Sequence, residues 1–375
     1  MARNGAPSGR GQDRVHPRTR LPGRRPAGPR CDTVDGRPPR GARSMTETPP
    51  VVAPARRERL LWMDGLRGLA ILLIVLLHAT EMLRSIGLQP HIAVDIFNTV
   101  ASPFRIPLLM TLSGMLLGSS LSKGAGRYVS GKLRAIAWPY AVWLVILLLV
   151  FPSLGPDILV RGLWAPNTYL WYLHTLLIAY LVALALRRVP DWISMVGALL
   201  LAAAVTLLPM PEVVATMKLE RTFLMLAFFF AGHLLMQHLP TALPLLRHPI
   251  SIVVGLVCTG SVVVASLQPG SAVSNDVTFA VPLLASLAVG LALLSLLPWR
   301  DPVSRWLRWV GRHSIVYYVT HWIALYWTLQ LVAGPLIRFG FSEVAVAMVV
   351  GAMVAGAALA WLVQLRTPVR WLFRV

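Results

Sequence analysis

From Leu66 onward the chain is made of ten apolar runs, each long enough or nearly long enough to span a bilayer. They cover about 66–84, 99–118, 136–153, 169–186, 193–209, 221–237, 250–267, 277–297, 313–333 and 343–364. The fifth and sixth are the shortest. Several contain Gly or Pro, which helices in lipid tolerate because neighbouring groups re-satisfy the freed backbone. Hydrophobic residues make up 56% of 375, charged residues 13%, and the mean hydropathy is +0.65. These values predict an all-α, polytopic integral membrane protein of about ten transmembrane helices. No fixed-period repeat and no inverted symmetry is visible in the sequence.

Charge placement supplies the orientation. The formal charge of +20 is concentrated at one end: residues 1–60 hold fourteen arginines against five acids. Residues 1–58 are rich in Arg, Pro and Gly, bury too little apolar surface to fold, and read as a disordered cytoplasmic tail. Met45 is an alternative start, which would make residues 1–44 upstream sequence. With no folded domain to present that basic face, nucleic-acid binding is not expected. With the tail inside, cytoplasmic connections and the C-terminus carry fourteen Lys and Arg, and the outward loops five. Such a bias places both termini in the cytoplasm. The membrane domain then runs over 59–366, followed by a short basic cytoplasmic tail, 367–375. The two cysteines, Cys31 and Cys258, form neither a disulfide framework nor a metal-ligand pattern.

The first run carries an unusual stripe. Arg67 and His78 are eleven residues apart, which returns a helix to within about 20° of its starting direction and separates them by about 16 Å. Asp64 and Glu81 fall on the same side. Charged groups at membrane depth are costly and usually face a bundle interior or a wet cavity. Arg67, near the cytoplasmic end, presents a planar set of donors suited to phosphate or carboxylate. His78 lies deeper, where a neutral imidazole can take a proton from a hydroxyl, and Glu81 at i+3 can orient it. A single membrane histidine is often an interhelical hydrogen-bonding group, and a single arginine often snorkels. Their coincidence on one face with a carboxylate favours function. It suits a reaction between an anionic cytoplasmic donor and an outward-facing hydroxyl. A transporter using Arg67, His78 and Glu81 as a substrate and proton relay is the competing reading.

Asp64-Gly-Leu-Arg-Gly-Leu-Ala followed by His78 resembles the first-helix signature of the acyltransferase-3 family, an Arg, ten residues and a His. Three further fragments agree in order. Pro107-Leu-Leu-Met-Thr-Leu-Ser-Gly114 is similar to the family's segment ending in Ser-Gly, with Met and Leu in place of aromatics. Leu170-Trp-Tyr-Leu173 resembles its Trp-Phe-Leu segment. Gly311-Arg-His-Ser314, Tyr317 or Tyr318, and His321 resemble its late Gly-x-x-Ser…Tyr…His stretch. The resemblance runs from about 60 to 365. It implies O-acylation, often acetylation, from cytoplasmic acyl-CoA to a hydroxyl of an extracytoplasmic carbohydrate or glycoconjugate in the cell envelope. By the same resemblance His78 is the catalytic base and Arg67 an essential donor-side contact; Glu81, one turn from His78, is the third catalytic candidate by its position on the helix. Relatives carry two arginines spaced by two residues after the second helix. Here Gly131 stands three before Arg134, with Lys132 and Arg127 nearby as candidate contacts for the coenzyme.

Other candidates are weaker as sequence. Asp64, Arg105, Trp171, Tyr317 and His321 are expected to meet substrate, Arg105 by lining a cavity or by pairing with Asp95 or Glu81. Ser113-Gly114 is expected to allow close helix approach rather than to supply a nucleophile. His174 reads as structural. His238 and His248 lack a third ligand, so no metal site is expected. No tightly bound cofactor is expected, only acyl-CoA as co-substrate. Membrane lipids and a separate extracytoplasmic protein are the other expected partners, and the plasma membrane the expected location.

Overall fold

The computed structural model describes residues 60–165, 168–268, 270, 273–336, 340–365 and 367–373. The expectations for the N-terminal tail and for Met45 lie outside the described residues, as do Arg338, Arg366 and Arg374. Sixteen α-helices follow one another among the described residues. The first group is α1 (Leu61–Ser85), α2 (Ile92–Gly114), α3 (Leu117–Leu121), α4 (Ala125–Lys132) and α5 (Trp138–Val150). Then come α6 (Asp157–Trp164), α7 (Trp171–Ala185), α8 (Asp191–Leu207), α9 (Glu212–Thr216) and α10 (Leu219–Gln237). The last are α11 (Leu239–Leu246), α12 (Pro249–Ser266), α13 (Ala280–Leu294), α14 (Pro302–Arg312), α15 (Ser314–Leu336) and α16 (Phe341–Gln364).

Every one of the ten apolar runs falls on a helix. By length and composition seven segments are able to cross a membrane: α1, α2, α4 through α5, α10, α12, α13 with its preceding turn, and α16. The apolar helices α7 and α8 are shorter, and α15 spans 23 residues. The chain is a polytopic membrane protein, all-helical among the described residues. The short segments are the fourth and fifth runs rather than the fifth and sixth. The sixth gains its length at the N-terminus: Lys218 takes a left-handed conformation with φ 52°, and Leu219 and Glu220 already belong to the first turn of α10.

Two local features have no counterpart in the sequence reading. Leu133–Ala137 is a π-helical turn between α4 and α5. Pro139 follows it, and a proline has no N–H to bond backward and crowds the carbonyl four residues earlier, so the wider turn relieves both problems. The second is α14, which the sequence presents as a basic loop. Pro302 sits in its first turn, and Asp301 caps it by accepting the Ser304 N–H at 2.9 Å. The Ser304 side chain and N–H hold the Asp301 carboxyl below the usual carboxylate range. Arg305 and Trp306 are exposed while Val310 and Gly311 are buried, the pattern of a helix lying along a surface.

Close backbone contact decides how α1 is seated. It packs against α2, α14, α15 and α16. A Cβ on Gly68 would fall 2.0 Å from the Leu307 carbonyl oxygen of α14, and one on Gly311 1.8 Å from the Asp64 carbonyl oxygen of α1. The two helices therefore touch backbone to backbone at two points, the small-residue packing that joins helices in lipid. The same device joins α2 to α10, where a Cβ on Gly114 would meet the Phe229 carbonyl at 1.8 Å and one on Gly232 the Thr111 carbonyl at 2.0 Å. Ser113-Gly114 thus serves helix approach, as its sequence suggested.

Gly311→Ala and Gly68→Ala are expected to lower thermal stability in detergent by an overpacking cost of about 1–3 kcal/mol each. Gly260→Ala on α12, where a Cβ meets nothing within 4 Å, is expected to be neutral or stabilising. Melting curves that coincide for all three variants would contradict the contact.

Candidate active site

The stripe on α1 divides into two ends. At the first, Asp64 is buried, and its backbone carbonyl is the one that Gly311 approaches. Arg67 is half-buried and donates from Nη2 to the Leu112 carbonyl of α2 at 2.7 Å. It lies within electrostatic reach of Lys132, Tyr172 and Tyr180. Lys132 turns inward, with Nζ 3.5 Å from the Tyr180 ring centroid and 3.2 Å from the Ser120 hydroxyl, to which it donates. Tyr180 in turn donates to the Ser113 carbonyl at 3.3 Å. Arg127 and Arg134 are exposed. The structure therefore brings Arg67 and Lys132 together and leaves the other two arginines of that loop outside.

At the other end His78 and Glu81 form a pair, with Nδ1 2.9 Å from Oε2. Glu81 is exposed and His78 half-buried, so the carboxylate orients the imidazole from its accessible side. The imidazole stacks on His321 of α15, centroids 5.2 Å apart and planes 22° from parallel, and meets Trp322 edge-on at 5.1 Å. His321 is fully buried and hydrogen-bonds from Nδ1 to the Tyr318 carbonyl at 2.5 Å. Donation from Nδ1 to a carbonyl assigns the lone pair to Nε2. Tyr169 closes the cluster: its hydroxyl donates to the Val319 carbonyl at 2.7 Å, its own carbonyl accepts from Tyr318, and its ring stacks on Trp322 at 5.7 Å.

A cavity of about 140 Å³ opens against this cluster, lined by His78, Ser102, Arg105, Tyr169, Trp171, Arg221 and Tyr318 among others. Trp171 carries the Arg221 guanidinium over its ring at 4.0 Å. Of the neighbouring tyrosines, Tyr318 faces the cavity. Tyr317 packs on Trp309 behind α16, where a Cβ on Gly356 would strike its ring. Arg105 lines the cavity and bonds Asn98, while Asp95 pairs with Arg84 instead. His174 bonds the Leu163 carbonyl at 3.0 Å and packs beside Tyr140, a structural role.

Arg221 was missed by the sequence reading because it begins an apolar run and counts there as a loop charge. Tyr169 and Trp322 carry no charge to draw attention. A larger space of about 420 Å³ lies elsewhere, beside Arg187, Arg188 and the pair Asp191–His233, whose Oδ1 and Nδ1 are 2.9 Å apart. The smaller cavity holds the histidine with an orienting carboxylate and two further cations, and is the candidate for chemistry.

The family model described as an acyltransferase domain, acyltransferase-3, matches residues 60–365. The chain belongs to the acyltransferase-3 family. That span holds every helix from α1 to α16, so the membrane bundle is itself the acyltransferase domain. Membership favours the enzyme reading over the transporter reading of the same stripe. No curated protein and no solved structure matches the chain.

The His78–His321 stack generates a stability expectation. His321→Ala removes a ring packed by His78, Tyr169 and Tyr318, and is expected to cost about 3 kcal/mol, in the range for large-to-small core changes. His321→Phe keeps the ring and loses one hydrogen bond, about 1 kcal/mol. Thermal unfolding in detergent measures both; equal melting of His321→Ala and the parent would contradict the packing described.

Proposed function

We propose that this acyltransferase moves an acyl group, acetyl in the simplest case, from cytoplasmic acyl-CoA to a hydroxyl of an extracytoplasmic carbohydrate or glycoconjugate. The observation that carries the reading is the oriented His78–Glu81 pair on a cavity, on the same helix as Arg67 and about 16 Å from it. One helix thus offers an anion contact at one end and a proton acceptor at the other.

The positive-inside bias puts the Arg67 and Lys132 end in the cytoplasm and the His78 end outward. Arg67 and Lys132, with the exposed Arg127 and Arg134, suit the phosphates of the coenzyme, and Asp64 lies at the same end. The thioester arm reaches along α1 toward His78. When Glu81 accepts from Nδ1–H, Nε2 is left to take a proton. The acceptor oxygen gives its proton to Nε2 as it attacks the thioester carbon. The C–S bond then breaks, and the imidazolium returns the proton to the departing thiolate. The products are an ester and free coenzyme A. In this reading Trp171 and Tyr318, on the cavity wall, hold the acceptor, and His321, stacked on His78, steadies the base; Tyr317 packs on Trp309 away from the cavity. Acyl-CoA enters as co-substrate with no tightly bound cofactor. The plasma membrane is the proposed location, and a separate extracytoplasmic protein a proposed partner.

The test is transfer of radiolabelled acetyl from acetyl-coenzyme A to envelope carbohydrate in membranes at matched protein levels. His78→Ala is expected to abolish label, a loss of at least about 100-fold for a general base. Glu81→Gln is expected to reduce it less. Arg67→Lys is expected to fail, because a point charge does not replace a planar set of donors. Turnover retained by His78→Ala would overturn its role as base. Absence of label in the parent protein, extended to a panel of acyl thioesters, would overturn the donor assignment.

A further inference from the structure

Arg105 is only 1% exposed, one of the most buried large side chains among the described residues. Its Nη2 donates to Asn98 twice, to the carbonyl at 3.1 Å and to Oδ1 at 2.7 Å. Asn98 is itself anchored, its Nδ2 donating to Thr80 Oγ1 at 2.9 Å, and Thr80 donates to the Leu76 carbonyl of α1. The guanidinium is therefore held in place from one side. Its Nε and Nη1 are buried and have no hydrogen-bond partner among the described residues. Leaving such donors unmet costs about 1–3 kcal/mol per group, more when the group is charged.

This unspent side belongs to a residue on the cavity that holds His78. Arg221 lines the same space from α10, fixed over the Trp171 ring. Two guanidiniums on one small cavity inside an apolar bundle favour an anion there; Glu220 lies within electrostatic reach of Arg221 but is not among the charges acting on Arg105. Glu81 is within electrostatic reach of Arg105, yet its Oε2 is 2.9 Å from His78 Nδ1 and its side chain is 48% exposed. A carboxylate committed to the imidazole does not meet the free donors of Arg105.

We infer that this cavity binds an anionic group, a phosphate or a carboxylate carried by the acceptor, close to the hydroxyl that His78 deprotonates. The inference rests on the acyl-transfer reading for the word acceptor, while the anion site rests on the unmet donors of Arg105 alone. An anion accepting from Nε and Nη1 forms charge-assisted hydrogen bonds, satisfies the buried donors and screens the two cations from one another. A neutral acceptor does none of these, so the cavity selects acidic sugars or phosphate-bearing glycoconjugates over neutral ones by leaving donors unpaired with the wrong substrate.

The test needs no acyl donor. Purified full-length protein in detergent is melted against methyl phosphate and against glucuronate, with sodium chloride matching ionic strength. A ligand that binds only the folded form raises the melting temperature progressively with its concentration. At least one probe is expected to do so beyond the chloride control, and the more effective names the source, phosphate or carboxylate. Arg105→Gln is expected to remove the shift. Ser102→Glu sets a carboxylate one helical turn from Arg105 on the cavity wall. That variant is expected to fold, to melt no lower than the parent, and to lose the response, so it decides the matter if Arg105→Gln does not fold. No shift with either probe, or a full shift in both variants, would overturn the anion site. A shift that depends on Arg105 in a protein that transfers no acyl group would keep the site and remove only the acceptor reading, which separates the two failures.

Discussion

The contact on which the rest depends is the backbone approach of α1 to α14. With no hydrophobic gain between helices in lipid, the position of α1 is set by shape, and Gly68 and Gly311 are where the shape is tightest. Both lie beside Asp64 and Arg67. Once that end is seated, helical geometry dictates where the other end points. His78 emerges eleven residues after Arg67, facing α15, where His321 receives it. Because α14 leads into α15 through His313, the element that fixes α1 also carries its partner. His313 ties this junction down by accepting from Gln364 of α16 at 2.7 Å.

Charge is handled differently at the two ends of α1. Arg67 and Lys132 spend donors on a carbonyl, a hydroxyl and a tyrosine face, each a neutral and exchangeable partner. Such cations are held in place yet remain able to take an anion. At the far end, His78 has a carboxylate of its own, and Arg105 is held by an amide with part of its guanidinium unspent. A bundle built only for stability would pair or remove these groups, since unpaired buried charge is destabilising. Their retention on a cavity is the physical ground for placing chemistry there.

Much of the fold was legible because lipid imposes length: a helix that crosses needs about 20 apolar residues, and runs of that size stand out without any partner. What was illegible depends on partners. The α14 segment reads as a basic loop because its buried side is small, and only the approach of α1 makes Val310 and Gly311 a contact surface. Arg221 reads as a loop charge because the left-handed turn at Lys218 that starts α10 early leaves no mark in composition. Within the site, Arg67, His78 and Glu81 could be found by spacing on one helix. Tyr317 and Tyr318 could not be separated, since both lie one turn from His321 and only the rotation of α15 decides which faces the cavity.

The central claim is that one helix joins a donor site on the cytoplasmic face to an acceptor site on the other. Sealed vesicles of defined orientation test it most directly, with labelled acetyl-coenzyme A supplied on one side and a membrane-impermeant glycosidase used to locate the product. The account predicts label only when the thioester reaches the face bearing Arg67 and Lys132, and product only on the opposite face. Label from thioester given at the His78 face, or product on the same side as the donor, would contradict it.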